Sequence, residues 1–364
     1  MVVGSGPDNF VPSGTRGYDG SSTQPGQVYI VNLLDGTLAR TFTTDTSAFM
    51  GDPTVVDWDL DYTSDTIYIG SVISANAGKV YRINTNQDLN PANWTLSTLI
   101  NQGKPLLVGP SVTIDSLSNH WVIFGTGRYW SAADKTNSAQ QTIYGIKDAC
   151  WQRNSGAYPC STTYTTTDLM NTSNLAVCSS AAGANAGQIY NTTTGTCGTG
   201  SLAYTSFSGL LTDMRTIYKG WYLNLATGGN PSERVLSKSI ILGGIALTTT
   251  FTPNTDPCSF QGNSSLYALY FETGTAYSQS VIGIYGSGAG ETIKRSTDLG
   301  KGLPTTVGVA IGKSTKGFVQ TSTGAIVEVD TAPAFGVRSG PESWKEKVGS
   351  GTSEIEEIYK HIVK

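Results

Sequence analysis

The chain has little charge and no excess of basic residues. Asp, Glu, Lys and Arg make up only 14% of its 364 residues, against about 25% in an average soluble protein. The 23 basic and 27 acidic side chains leave a net charge of −4. Because neutralising a phosphate backbone needs clusters of Lys and Arg, we expect no nucleic-acid partner.

Long apolar runs are also missing. No stretch approaches the roughly 18 consecutive apolar residues of a membrane-spanning helix, so no transmembrane segment is expected. Residues 1–6 have neither the charged leader nor the apolar centre of a signal peptide, and instead predict a strand that enters a glycine turn. We expect the sequence to start inside a domain, with any export signal left out of it.

Histidine is scarce, and the cysteine motifs of metal and redox proteins are absent. His120 and His361 are the only histidines, so neither a histidine metal centre nor a Ser-His-Asp triad is predicted. No Cys-x-x-Cys pair occurs, which disfavours zinc, thiol-redox and covalent haem sites. Four of five cysteines fall in a Ser/Thr/Gly/Asn-rich stretch, which is typical of an exported protein with local disulfides. We expect the pairs Cys150–Cys160 and Cys178–Cys197, with Cys258 unpaired.

Short β-branched or aromatic runs, bounded by Gly, Asn, Asp and Pro, dominate the chain and predict strands. A degenerate motif of a small residue, an apolar residue, Tyr and Asx recurs five times before a turn, at 26–32, 78–84, 141–148, 264–269 and 324–330. Repeated sheets of about 40–50 residues are typical of a β-propeller. The alternative is a set of independent hairpins in a sandwich. We therefore predict an all-β propeller.

Two segments depart from this repeat. The spacing breaks between Ala149 and about Phe207, so we expect a cysteine-containing insertion at 149–206 that projects from one blade. The propeller domain is expected to span 1–348. A Gly-Ser-Gly linker then leads to a tail with a capping box and one apolar face, which predicts an appended amphipathic helix within 349–364.

One motif has the chemistry of a metal site. Between residues 57 and 65, carboxylates stand at relative positions 1, 3, 5 and 9, and Thr63 can offer its carbonyl at position 7. Calcium prefers six to eight such oxygens, and a divalent cation relieves the repulsion among crowded carboxylates. Strands flank the motif, and Tyr62 replaces the glycine usual at position 6. We predict an EF-like calcium loop in a β-hairpin, with a solvated acidic turn as the alternative.

Five stretches together resemble the C-terminal domain of the PilY family of type IV pilus biogenesis factors and tip-associated adhesins. They are 57–65 with 68–70, 124–129, 219–225 with 233–235, 253–258, and 343–346. The resemblance implies a modified, quinoprotein-like propeller of seven blades with a calcium loop on one blade. Since about five repeats are visible, we expect a truncated domain. The calcium ligands implied here are the carboxylates of Asp57, Asp59, Asp61 and Asp65 and the carbonyl of Thr63.

The family resemblance also implies a function. In that family, occupancy of the loop is tied to pilus extension against retraction, and the protein contributes to adhesion and surface sensing. The implied partners are minor pilins or the pilus tip complex, together with a host or abiotic surface. The implied location is extracellular, at the pilus tip or the outer membrane.

Two other functions stay open. A quinone-dependent dehydrogenase has similar blades, but an adjacent Cys-Cys pair and a tryptophan platform would be expected, and the sequence has no Cys-Cys pair. A carbohydrate-binding lectin propeller would need aromatic-lined polar pockets. The sequence favours a non-enzymatic, calcium-binding propeller over both.

Overall fold

The computed structural model describes residues 1–8, 20–151, 160–227, 231–255, 262–311 and 315–331. Within these ranges the regular structure is almost entirely β, arranged in sheets that follow one another along the sequence and are antiparallel except for one short strand pair. The first sheet contains β1 (Val2–Gly4), β2 (Gln27–Val31) and β3 (Leu38–Thr43). The second contains β4 (Phe49–Val56), β5 (Thr66–Val72), β6 (Val80–Asn84) and β7 (Thr95–Ile100).

The third sheet is interrupted in sequence. It contains β8 (Ser111–Ile114), β9 (His120–Gly125), β10 (Thr142–Asp148), β11 (Met170–Asn171) and β15 (Gly220–Asn224). Strand β10 pairs directly with β15, so residues 149–219 connect two neighbouring strands. This connection contains β12 (Leu175–Val177), β13 (Ile189–Asn191), β14 (Ser201–Tyr204) and helix α1 (Phe207–Thr216).

The remaining sheets follow in order. The fourth contains β16 (Arg234–Val235), β17 (Ile240–Leu242), β18 (Ile245–Thr252), β19 (Asn263–Tyr270) and β22 (Ser296–Lys301). A small hairpin consists of β20 (Ile284–Tyr285) and β21 (Thr292–Ile293). The fifth contains β23 (Gly308–Ile311), β24 (Thr315–Gln320) and β25 (Ile326–Asp330). Single 3₁₀ turns occur at Pro91–Asn93, Ala132–Lys135, Thr166–Asp168, Gly183–Asn185 and Gly288–Gly290.

The five copies of the repeat motif lie in five different sheets. They coincide with β2, β6, β10, β19 and β25. In β6 and β10 every residue is buried, because the strand packs on both faces. The repeat therefore marks one central or edge strand per sheet, as successive blades of a propeller require.

Both predicted disulfides are confirmed, and one helix was not foreseen. Cys150 pairs with Cys160, and Cys178 with Cys197, with Cα–Cα separations of 4.6 and 5.8 Å. The sequence predicts an all-β propeller with a helix only in the tail, but α1 begins at the Ser206 cap, whose hydroxyl accepts a hydrogen bond from the Gly209 N–H. Neither Cys258 nor the 349–364 tail is among the described residues. In the part that is described, no helix has the length and apolar character needed to cross a membrane.

Trp221 joins the third and fourth sheets. Its indole is fully buried, and its Nε1 donates a hydrogen bond to the Phe271 carbonyl at 2.7 Å. Two glycines make room for the ring, since a Cβ at Gly145 would lie 2.4 Å from it and a Cβ at Gly274 would lie 2.3 Å from it. The size of the Trp221 side chain therefore sets the distance between the third and fourth sheets.

Candidate metal centre

The acidic loop lies at the end of a hairpin, as the sequence predicts. Strands β4 and β5 are paired up to Val56 and Thr66, and the Asp65 N–H closes the loop on the Val56 carbonyl at 2.8 Å. Residues 57–65 therefore project from the second sheet on a rigid base.

Three of the predicted ligands lie together. Carboxylate oxygens of Asp57, Asp59 and Asp61 are within 4.8 Å of one another. Asp57 accepts hydrogen bonds from the N–H groups of Asp61 at 3.2 Å and Tyr62 at 2.8 Å, and Asp61 accepts one from the Thr63 N–H at 2.7 Å. These turns gather the odd-numbered carboxylates into one group, where a divalent cation would offset their mutual repulsion.

The even-numbered residues Leu60 and Tyr62 project into solvent. Their φ angles are 58° and 72°, in the left-handed region that costs a non-glycine residue about 1–2 kcal/mol. Their side chains are 79% and 85% exposed. The loop thus holds a strained backbone that turns its carboxylates inward.

Asp65 occupies the buried end of the loop. Its side chain is fully buried, and Oδ2 accepts a hydrogen bond from the Trp58 N–H at 2.6 Å. Burial raises the pKa of the Asp65 carboxyl, and the nearby charges of Asp59 and Asp57 raise it further, against the opposing effect of the Trp58 N–H. Asp65 is not one of the three residues within 4.8 Å of one another, and it lies where the loop closes on the Val56 carbonyl.

Two buried oxygens of this loop lack a donor among the described residues. They are Oδ1 of Asp59 and Oδ1 of Asp65. The other Asp59 oxygen accepts a hydrogen bond from Gln87 Nε2 at 3.1 Å. An unpaired buried acceptor costs about 1–3 kcal/mol, and hard carboxylate oxygens are the ligands that calcium prefers. The residues present therefore fit a calcium ion.

A stack of aromatic rings stands behind the loop. The His120 ring centroid is 4.4 Å from that of Trp58 and 5.2 Å from that of Trp151. All three rings are less than 9% exposed, and burial lowers the pKa of His120 although Asp148 and Asp115 oppose this. The sequence predicts no role for His120 and gives no reason to group it with the two tryptophans. The sequence offers one sign of this arrangement, which is that Trp58 lies between Asp57 and Asp59, two of the predicted calcium ligands.

A separate cavity of about 570 Å³ lies beside α1 and is lined by aromatic and charged side chains. Phe207, Tyr270 and Tyr277 pack on one another with centroids 5.0–5.6 Å apart. Arg215 forms a two-pronged ion pair with Glu272 at 2.7 and 2.9 Å, and the Tyr270 hydroxyl donates to the same carboxylate at 3.0 Å. Both Glu272 oxygens already accept hydrogen bonds from the protein. This cavity therefore offers fewer free oxygens to a ligand than the acidic loop does.

Comparison with known proteins identifies relatives for part of the chain. No family model matches it. The curated type IV pilus biogenesis factor PilY1 of Pseudomonas aeruginosa, in strains PAO1 and PAK, is 32% identical over 165 residues, which are 44% of this chain and 13% of the relative. The crystal structure of the P. aeruginosa PilY1 C-terminal domain matches with a TM-score of 0.59 at 18% identity, over 85% of this chain and 67% of that chain.

These matches confirm the similarity to the PilY1 C-terminal domain and the all-β propeller fold. The alignment spans about an eighth of the length of the curated relatives. At 18% identity the structural match shows the fold alone.

Proposed function

We propose that this chain, as a domain similar to the C-terminal domain of PilY1, is a calcium-binding, pilus-associated propeller. In this proposal it regulates the balance of type IV pilus extension and retraction and contributes to surface attachment. Its partners are pilus components, minor pilins or the tip complex among them, and it is exposed at the cell surface. The sequence relatives named as type IV pilus biogenesis factors support the pilus association.

The calcium proposal rests on one observation: buried carboxylate oxygens of Asp59 and Asp65 have no donor among the described residues. Asp59 forms a group with Asp57 and Asp61 in the same loop. Four carboxylates and the Thr63 carbonyl would supply oxygen ligands to the ion. Calcium accepts six to eight oxygens in a flexible shell, whereas magnesium demands a tight octahedron. We therefore expect calcium to bind in preference to magnesium.

The expected effect of the ion is local. The hairpin beneath the loop is paired to Val56 and Thr66, and all seven residues of β5 are buried. Removal of the cation should loosen residues 57–65 while the sheet stays packed. A local change of this kind suits a contact that is switched on and off, rather than the folding of the domain.

Titration calorimetry with calcium chloride tests the site. The wild type should bind with a dissociation constant of about 10⁻⁴–10⁻³ M, the range of many extracellular calcium modules. Asp65→Ala should weaken binding at least tenfold and leave the circular dichroism spectrum unchanged. Asp35→Ala is the matched control, because Asp35 lies in an exposed turn where Thr37 is its only hydrogen-bond partner among the described residues. Equal affinity in both variants, or no binding to the wild type, would overturn the calcium assignment.

A cellular assay tests the pilus role separately. Full-length protein carrying Asp65→Ala or Asp35→Ala would replace the wild type in a piliated host, and surface pili and twitching motility would be measured. We expect the Asp65 variant alone to change the amount of surface pili. Equal piliation in both strains, with calcium binding shown to differ, would contradict the regulatory role but not the metal site.

A further inference from the structure

We propose that the Cys150–Cys160 disulfide controls the cation affinity of the 57–65 loop through the stacked rings of Trp58, His120 and Trp151, which position Asp65. This inference rests on the proposed calcium site. It adds three positioning residues, of which His120 and Trp151 come from other parts of the chain, and a thiol–disulfide control.

The first link joins Trp58 to Asp65. The backbone N–H of Trp58 is the only donor to the Asp65 carboxylate within the described part of the chain, at 2.6 Å on Oδ2. The Trp58 indole is 6% exposed and is packed between His120 at 4.4 Å and the edge of Tyr68 at 6.5 Å. A shift of this indole would move the N–H that orients Asp65.

The second link joins the loop to the next sheet and to the insertion. His120 is the first residue of β9, and its ring stands at 89° to Trp151. The Trp151 side chain is 5% exposed and its indole N–H has no acceptor among the described residues, so the ring is held by packing. Trp151 therefore reaches the acidic loop through the rings of His120 and Trp58.

The third link is the disulfide itself. Cys150, next to Trp151, donates its N–H to Asp148 Oδ1 at 3.0 Å. On the other side, Arg82 donates to the Cys160 carbonyl at 3.1 Å, and Asn84 Nδ2 lies 2.9 Å from Cys160 Sγ. Arg82 also pairs with Asp148, whose second oxygen accepts the Tyr68 hydroxyl at 2.8 Å.

Both ends of the disulfide loop are thus fixed on β6 and β10, directly beside the stacked rings. With the bond intact, Trp151 is held from both sides of the loop. After reduction, the anchored Cys160 is connected to Trp151 only through the intervening chain, and the cross-link to Cys150 is gone. We expect Trp151 and His120 to pack less tightly and Asp65 to lose its fixed orientation.

The second disulfide provides a matched control. Cys178 and Cys197 lie in their own small cluster with Ala182 and Tyr190, and Ser179 beside them bonds the Glu291 carbonyl and carboxylate rather than the acidic loop. Both disulfides belong to the 149–219 connection and are buried. They differ in whether they contact the stacked rings.

The test compares calcium binding in four proteins by calorimetry and by terbium luminescence excited through tryptophan. We expect the double variant Cys150→Ser/Cys160→Ser to bind about tenfold more weakly than the wild type. Cys178→Ser/Cys197→Ser should stay within twofold of it. Trp151→Leu, with both disulfides intact, should weaken binding in the same direction, so a folding defect of the double variant does not decide the outcome.

The outcomes separate the two hypotheses. No calcium or terbium binding by the wild type would overturn the proposed function and this inference with it. Binding of equal strength in all four proteins would overturn this inference alone. Equal weakening by both cysteine double variants would also overturn it, because a general loss of rigidity would then explain the effect.

A reciprocal measurement gives a readout that does not use metal affinity. Two glutathione molecules reduce the disulfide, which yields two protein thiols and one glutathione disulfide. Since coupling between two equilibria is mutual, saturating calcium should make reduction of Cys150–Cys160 about tenfold less favourable at equilibrium. Mass spectrometry of alkylated peptides, in calcium or in EGTA, would show this. An unchanged equilibrium would contradict the coupling.

Discussion

Two hairpin loops of this propeller begin in the same way but differ in how many hydrogen bonds their carboxylates accept. The 57–65 loop follows β4, and the 115–119 turn follows β8. In each, an aspartate comes directly after the strand, and the chain returns into a buried strand. Sequence position alone does not distinguish them.

Their carboxylates differ in how many protein donors they have. Asp115 accepts hydrogen bonds from the N–H groups of Leu117 and Asn119, the Asn119 amide and Trp121 Nε1, at 2.8–3.0 Å. Burial acts to raise the pKa of Asp115, but these four donors outweigh it and the pKa is lowered. Asp65 has one donor and a raised pKa. An acidic turn becomes a candidate metal site where the protein leaves carboxylate oxygens unpaired.

The largest expected effect is on the 115–119 turn, where the Asp115 carboxylate accepts four hydrogen bonds. Asp115→Ala removes four hydrogen bonds and leaves the buried Trp121 Nε1 without a partner, so the free energy of unfolding should fall by about 3 kcal/mol. Urea denaturation should give the same loss in calcium and in EGTA. A loss that appears only in EGTA would mean that Asp115 also responds to the metal, and the contrast between the loops would fail.

The next largest effect is expected in the 57–65 loop, where carboxylate oxygens remain unpaired. With a dissociation constant of about 10⁻⁴–10⁻³ M, 10 mM calcium should raise the free energy of unfolding by about 1.4–2.7 kcal/mol. Asp65→Ala should remove about 1 kcal/mol of that gain. Urea denaturation at matched ionic strength is the measurement. A gain that survives intact in the variant would place the calcium elsewhere on the protein.

The two carboxylates should also respond to pH with opposite signs. A lowered pKa means that Asp115 stabilises the fold above its ordinary value of 3.8, and that this stability is lost as the pH falls through the folded-state pKa. A raised pKa means that, in EGTA, the contribution of Asp65 declines as the pH rises from about 4.

Urea denaturation of Asn variants in EGTA, between pH 3 and 7, separates these signs. Relative to the wild type, Asp65→Asn should become more stable as the pH rises, and Asp115→Asn less stable. Parallel profiles for the two variants would contradict the difference in their environments.

The smallest effect comes from the strained backbone. Glycine adopts the left-handed conformation without the steric cost that Tyr62 carries at a φ of 72°. Tyr62→Gly should therefore stabilise the protein by up to about 1 kcal/mol, after the entropy that glycine loses on folding is subtracted. Tyr62→Ala keeps the strain and serves as its control. Equal stabilities of the two variants would show that the turn is not strained.

Much of the fold could be predicted because its signals are local. The repeat motif marks five strands that the structure confirms, and the two disulfides join cysteines close in sequence. Helix α1 was missed although Phe207, Leu210, Leu211 and Met214 have helical spacing, because this apolar stripe is only two turns long and stands among strand signals. The spacing of the aspartates likewise pointed to Asp57, Asp59 and Asp61 as a group.

The surroundings of that group could not be predicted. Trp58, His120 and Trp151 come from the loop, the next sheet and the insertion, so only the folded topology brings them together. Whether an aspartate keeps a free oxygen depends on such neighbours. Among the described residues, Asp115 accepts hydrogen bonds from the side chains of Trp121 and Asn119, whereas Asp65 accepts one from a single backbone N–H.

The pairing of β10 with β15 across residues 149–219 has a consequence for how the protein acquires its structure. The ladder between these strands cannot close until residue 224 is available, and the entropy of closing so long a loop must be met first. Contacts of high sequence separation slow folding. The short hairpins of the connection and its two disulfides can form earlier, because they need only nearby residues. The third sheet should then be completed after the second, whose four strands pair only with their neighbours in sequence.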